Sequence, residues 1–124
     1  MGADSEDNVN DILRKIASVL GASGVAIGAL GAHALKDTLT KRGALASFQT
    51  GVTYHIFHAL AILSLSNADK SQTLAGKLMA TGTLFFSGSI YGLSLGYGPR
   101  PLLGPITPVG GLLMIGGWIV AGLG

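Results

Sequence analysis

The chain has 124 residues, of which 48% are hydrophobic and only 11% charged, well below the roughly 25% charged content of an ordinary soluble domain. Its net charge of +2 comes from basic residues set singly or in pairs, so no basic stripe exists and no nucleic-acid partner is expected. The absence of cysteine excludes disulfides, thiolate catalysis and Cys-based metal sites.

Residues 1–12 read as an acidic extension, with Asp4, Glu6, Asp7 and Asp11 ahead of the first basic pair, Arg14 and Lys15. Secretory leaders open on basic residues and transit peptides are poor in acids, so no cleaved targeting peptide is expected. Glu6 stands where a myristoylation signal needs Ser or Thr.

Beyond that point the chain falls into four long blocks free of Asp, Glu, Lys and Arg, or nearly so, at 16–35, 43–68, 78–99 and 101–124. Each is about as long as the roughly 20 apolar residues that a helix needs to cross a bilayer. A soluble globule of this size has too much surface in water to hide four helices that are apolar all round. The expectation is one all-α membrane domain of four transmembrane helices in a compact bundle, with spans near 16–35, 46–66, 78–98 and 102–123. Arg14, Lys15, Lys70 and Lys77 would share one side and Lys36, Lys41, Arg42 and Arg100 the other. This balance leaves the orientation open.

The first span repeats glycine at Gly21, Gly24, Gly28 and Gly31, and the third at Gly88, Gly92 and Gly96. Small residues on one helix face let backbones approach in lipid, so both stripes are expected to be packing seams. A phosphate-cradling loop would instead follow a strand, which is not the context here. The fourth block contains Pro105 and Pro108, and Thr107-Pro108 reads as an N-cap and first-turn pair. A Pro-broken start to the fourth helix follows, with Leu102–Ile106 as irregular backbone covered by protein.

Four strings, "GALGAHALK" (28–36), "FQTGVTYHIFHALAIL" (48–63), "LFFSGSIYGLSL" (84–95) and "GPITPVGGLLMIGGW" (104–118), together resemble the domain of unknown function 423 family, which includes the transmembrane protein 256 homologues. The resemblance covers about residues 16–123 and leaves out the acidic extension. It implies a small four-helix fold in a membrane and no established reaction. The positions matching the family's motifs are Gly31, His33, Gln49, Thr50, Tyr54, His58, Phe86, Ser87, Gly88, Ser89, Tyr91, Thr107, Pro108, Gly110, Gly111 and Trp118. His55 falls outside them.

On the second span Ser47, Gly51, Tyr54, His55 and His58 share one helix face, which should point into the bundle. Ionisable groups inside a span are costly and mark sites by default, so the candidate polar cluster is His33, Gln49, Tyr54, His55, His58, Ser87 and Ser89. Its bland role is glue between helices, an imidazole bonding to Ser87, Ser89, Thr83 or a backbone carbonyl. Its sharper role is a path for a proton or small ligand. Imidazole also suits zinc, copper and haem iron, but no carboxylate lies in any span to complete a two-His site. His55 and His58 on one helix face cannot bind opposite faces of a haem. No metal, cofactor or catalytic residue is therefore expected. Tyr91, Tyr97 and Trp118 are candidates for an interfacial belt, Trp118 equally for the core.

These readings point to a membrane protein that is not an enzyme. Its expected partners are the lipid bilayer and other membrane subunits or further copies of itself, and its expected role is that of a structural or accessory subunit. A transporter-like bundle using the His/Tyr cluster is the alternative. Which membrane holds it is open, with the mitochondrial inner membrane the lean for a eukaryote.

Overall fold

The computed structural model describes residues 2–68 and 72–124, with side chains from Asn8 onward. Lys70 and the side chains of Asp4, Glu6 and Asp7, used above for topology and targeting, lie outside the described residues. The chain order is α1 (Gly2–Ala32), α2 (Lys36–Lys41), α3 (Leu45–Ser66), α4 (Thr73–Leu95) and α5 (Arg100–Leu123), with no strand among the described residues. Among the described residues three stretches are long and apolar enough to cross a membrane: Asn8–Ala32, Thr73–Leu95 and Arg100–Leu123. Although α3 has 22 residues and no Asp, Glu, Lys or Arg, Gln49, His55, His58 and several hydroxyl residues dilute its apolar character.

α1 packs along α3, α3 against α4, and α4 against α5, and α5 makes its main contact with α4. One apolar core joins Leu13, Ala17 and Leu20 of α1 to Ala59 and Ile62 of α3 and to Met79 and Ala80 of α4. The outward faces carry Val19, Phe57, Leu84, Leu112 and Ile119, all exposed, the pattern of helices solvated by hydrocarbon rather than water.

Two expectations about element ends are corrected. The first helix stops at Ala32, and His33 lies in the turn that follows, closed by the Leu35 N–H donating to the Leu30 carbonyl at 2.8 Å. The amphipathic α2 then tucks Leu39, fully buried, beneath the corner. The fourth helix has no broken start. It opens on Pro99 as N-cap with Pro101 in the first turn, and runs unbroken through Pro105 and Pro108. Proline at the first turn costs nothing because that N–H has no partner anyway. The two interior prolines release the carbonyls of Pro101 and Gly104, and Gly104 lines a cleft open at the surface, where such a group can be hydrated. Thr107 is accordingly no N-cap. Its hydroxyl turns back to the Leu103 carbonyl at 3.3 Å and meets Ser89 Oγ at 2.6 Å.

The glycines also divide differently. On α1, a Cβ at Gly24 would lie 2.8 Å from Ile56 and one at Gly28 3.0 Å from Val52, both on α3. On α4, Gly88 has nothing within 4 Å, and Gly96 is the helix's left-handed C-cap at φ 76°. Gly92 does meet α5, where a Cβ would lie 3.0 Å from Leu103, but the tightest α4–α5 approach uses Gly82, Gly110 and Gly117. A Cβ at Gly82 would stand 2.8 Å from the Gly110 carbonyl, one at Gly117 3.2 Å from the Ala75 carbonyl, and one at Gly110 would run into the Phe86 backbone nitrogen.

Candidate functional site

The interior polar groups gather where α3 faces its neighbours. His55 is 5% exposed and His58 4%, and every ring nitrogen of the pair has a partner. His55 Nε2 lies 3.1 Å from Ser23 Oγ of α1, and His55 Nδ1 lies 2.9 Å from the Tyr91 hydroxyl of α4. Assigning the single Ser23 hydrogen to the Leu20 carbonyl at 3.1 Å satisfies both contacts and makes the Ser23 oxygen the acceptor from His55 Nε2–H. That leaves His55 Nδ1 to accept the Tyr91 O–H. The result is a donor chain, Tyr91 to His55 to Ser23 to a backbone carbonyl, across three helices.

His58 is the opposite tautomer. Its Nδ1–H donates to the Tyr54 carbonyl at 2.8 Å, and its Nε2 accepts from the indole N–H of Trp118 at 3.1 Å. Indole only donates and a carbonyl only accepts, which fixes the assignment and the neutral form. Both lone pairs that a metal would need are therefore already used, one by Tyr91 and one by Trp118. Among the described residues no three His, Asp or Glu side chains converge on a common point.

The remaining candidates separate by position. Ser87, 1% exposed, donates across the helix interface to the Gly51 carbonyl at 2.7 Å. Ser89 joins α4 to α5 through Thr107, either hydroxyl being the donor, and its Oγ also lies 3.0 Å from the Phe86 carbonyl. His33 and Gln49 are both exposed and stand outside the cluster. Tyr54, expected to face inward, is 44% exposed, its ring set edge-on against Phe86 at 5.0 Å. His55, which lay outside the family motifs, is the residue that faces in. Neither imidazole takes Thr83, Ser87 or Ser89 as partner: Thr83 bonds within its own helix, to the Met79 carbonyl at 2.7 Å.

Sequence reasoning missed Ser23 altogether. It placed Tyr91 among the family-motif positions but gave it no role beyond an interfacial belt, and left Trp118 between belt and core. A serine in the small-residue stripe of α1 was the available signal for the first. Tyr91 instead sits inside the bundle, its ring 5.1 Å from Phe48. Trp118 is both, half-exposed with its N–H turned inward. The arrangement can hold helices in register and can relay a proton through a short hydrogen-bonded chain.

The comparisons with known proteins agree with a membrane setting. The chain is 41% identical over 82 residues to a UPF0382 membrane protein of Schizosaccharomyces pombe, covering 64% of this chain and 70% of that one. It is 41% identical over 91 residues to the UPF0382 membrane protein YwdK of Bacillus subtilis, covering 65% and 73%. The UPF0382 inner membrane protein YgdD of Escherichia coli is 40% identical over 88 residues, with 65% of each chain covered. No solved structure matches the chain. Residues 27–111, which include α2, α3, α4, the end of α1 and the first half of α5, match the family model described as protein of unknown function DUF423, and the chain belongs to that family.

Proposed function

We propose that the chain is a four-span membrane bundle that acts as a structural or accessory subunit, joined to other membrane subunits or to further copies of itself, and not as an enzyme. The observation that carries this reading is the saturation of both buried imidazoles, His55 by α1 and α4 and His58 by α5 and its own helix, which uses the costly polar groups to fix helix register. α3 is the fourth span. It lies between α1 and α4, and its 22 residues give roughly 33 Å of helix at 1.5 Å per residue, against about 30 Å of hydrocarbon. Glycine-rich packing holds the bundle tight, and one outer face of α3 is polar. Gln49, Thr50, Thr53 and Tyr54 border a surface groove, and the Gln49 amide is costly to leave facing lipid tails. A protein neighbour over that face removes the cost. By analogy with the inner membrane relative in E. coli, the eukaryotic location proposed is the mitochondrial inner membrane.

Mass measurement of the full chain in mild detergent tests the role. A dimer or a stoichiometric partner is the expected result, shifted to monomer by Gln49→Leu, and a monomer from the wild-type chain overturns the reading. Because the chain has no cysteine, single cysteines at Thr38, Asn67 and Gly98 report topology with an impermeant thiol reagent. Labelling of Thr38 and Asn67 from one side removes α3 from the spans.

The donor chain from Tyr91 through His55 to Ser23 favours a second reading, a transporter-like bundle that moves a proton or small ligand. Proton flux in vesicles, abolished by Tyr91→Phe, would support it.

A further inference from the structure

At the end of the bundle where α2 turns into α3, a cleft of about 460 Å³ opens between that corner, the last turns of α4 and the first turns of α5. Its lining includes Arg42, Ser47, Ser94, Arg100, Gly104 and Thr107. Such a volume lies within the range of about 300–1,000 Å³ of small-ligand pockets. The cleft carries two guanidinium groups and no carboxylate. Among the described residues the ion pairs are those of Arg14 and Lys15 with Asp11, at the opposite end of α1.

Arg42 is held in place by the fold. Its Nε donates to the Ser94 carbonyl at 2.8 Å. Its guanidinium lies directly on the Gly96 backbone, where an added Cβ would be 2.7 Å from Nη2 and 2.9 Å from Nη1. Nε is used by the fold, and the terminal nitrogens carry the remaining donors. Arg100 makes the first residue of α5. The N-terminus of α3 opens onto the same cleft through Ala44 and Ser47, and no side chain caps it, so its first N–H groups add positive potential.

We propose that this cleft binds a phosphate group, with Arg42 and Arg100 as its two clamps. A planar guanidinium matches phosphate oxygens in pairs, and basic pockets between membrane helices take anionic headgroups. Tyr97, 72% exposed beside the cleft, suits the headgroup level. The lipid source rests on the four-span reading, which sets both arginines at that level. A free phosphate shares the chemistry and needs no such depth.

The test uses the full chain in a zwitterionic detergent, with bound molecules counted by native mass spectrometry after adding phosphatidylglycerol, phosphatidylcholine or inorganic phosphate. Wild-type chain is expected to retain phosphatidylglycerol, and Arg100→Gln to retain it about tenfold more weakly, the scale of one lost charge-assisted contact. Arg14→Gln is expected to match wild type. Arg42→Gln should weaken retention as well, but Arg100→Gln is the decisive variant because Arg100 makes no side-chain bond among the described residues. Binding of inorganic phosphate without the lipid, lost in Arg100→Gln, supports the site and assigns it to a soluble anion. Equal retention of phosphatidylglycerol and of inorganic phosphate by wild type, Arg100→Gln and Arg14→Gln, or retention of phosphatidylcholine alone, overturns the proposal. Cysteine labelling at Thr38 and Asn67 reports separately whether the spans are as proposed.

Discussion

Trp118 donates its indole N–H to His58 Nε2 at 3.1 Å, although Trp118 sits on α5, a helix that packs on α4 and approaches α3 little elsewhere. The bond is thus a polar strut across an otherwise loose helix pair. Their rings are 6.0 Å apart and near edge-on, so the strut has an aromatic component as well. Trp118→Phe keeps the ring and removes the donor. It should lower stability by about 0.6 kcal/mol, and by no more than about 1.7, the span measured for hydrogen bonds between membrane helices. Denaturant titration in detergent reads this. His58→Phe should cost less in the Trp118→Phe background than alone, because the two side chains share one interaction.

His55 and His58 are expected to be opposite neutral tautomers, His55 protonated at Nε2 and His58 at Nδ1. Nitrogen-15 spectra of ring-labelled protein distinguish the two directly. Identical tautomers would contradict the donor chain from Tyr91 to Ser23. Tyr91→Phe removes the O–H that His55 Nδ1 accepts, leaving a buried acceptor empty, and should cost about 1–2 kcal/mol. Gln49→Leu, on an exposed face, should leave monomer stability within about 0.5 kcal/mol.

The helical class and the stretches that become the long helices were legible in the sequence because long uncharged blocks have few other solutions. On α3 the inward placement of Gly51, His55 and His58 was legible as well, but the outward turn of Tyr54 was not. Successive residues on a helix point about 100° apart, so Tyr54 and His55 fall on either side of a face that spacing alone cannot resolve more finely. The deciding partners, Ser23, Tyr91 and Trp118, lie 32, 36 and 60 residues away in the chain. The small-residue stripe of α4 held at Gly92, where an added Cβ would lie 3.0 Å from Leu103 of α5, and failed at Gly88 for a similar reason. A spacing of four marks a helix face, yet only a neighbour's approach makes it a seam, and α5 approaches at Gly82 rather than at Gly88. Pro105 and Pro108 misled because the rule against interior proline is written for helices that must satisfy every carbonyl alone, whereas the first turns of α5 open onto a surface cleft.

That account of the prolines predicts the effect of removing them. Pro105→Ala and Pro108→Ala supply N–H groups to the Pro101 and Gly104 carbonyls without having to rebuild the helix, which is already continuous. Each variant should keep its helical circular dichroism and unfold at the same or higher denaturant, gaining up to about 3 kcal/mol. A loss of stability would mean that the prolines hold the first turns of α5 against α4 in a way an unkinked helix cannot.

The glycine positions give the sharpest contrast, because the same substitution should have opposite consequences 22 residues apart. At Gly110 a methyl group meets the Phe86 backbone nitrogen and lies 2.8 Å from the Gly82 carbonyl. Neither can swing aside as a side chain would, so α5 must move away from α4. Gly110→Ala should therefore cost about 1–3 kcal/mol, the usual cost of overpacking, or more. At Gly88 nothing lies within 4 Å, and the residue is mid-helix in α4, where alanine is the better helix former. Gly88→Ala should be neutral or stabilise by about 0.5–1 kcal/mol. Unfolding of the two variants in the same detergent checks both. If Gly88→Ala alone leaves monomer stability intact but reduces the assembled mass, the small face it presents to the outside is a contact surface for the neighbouring subunit.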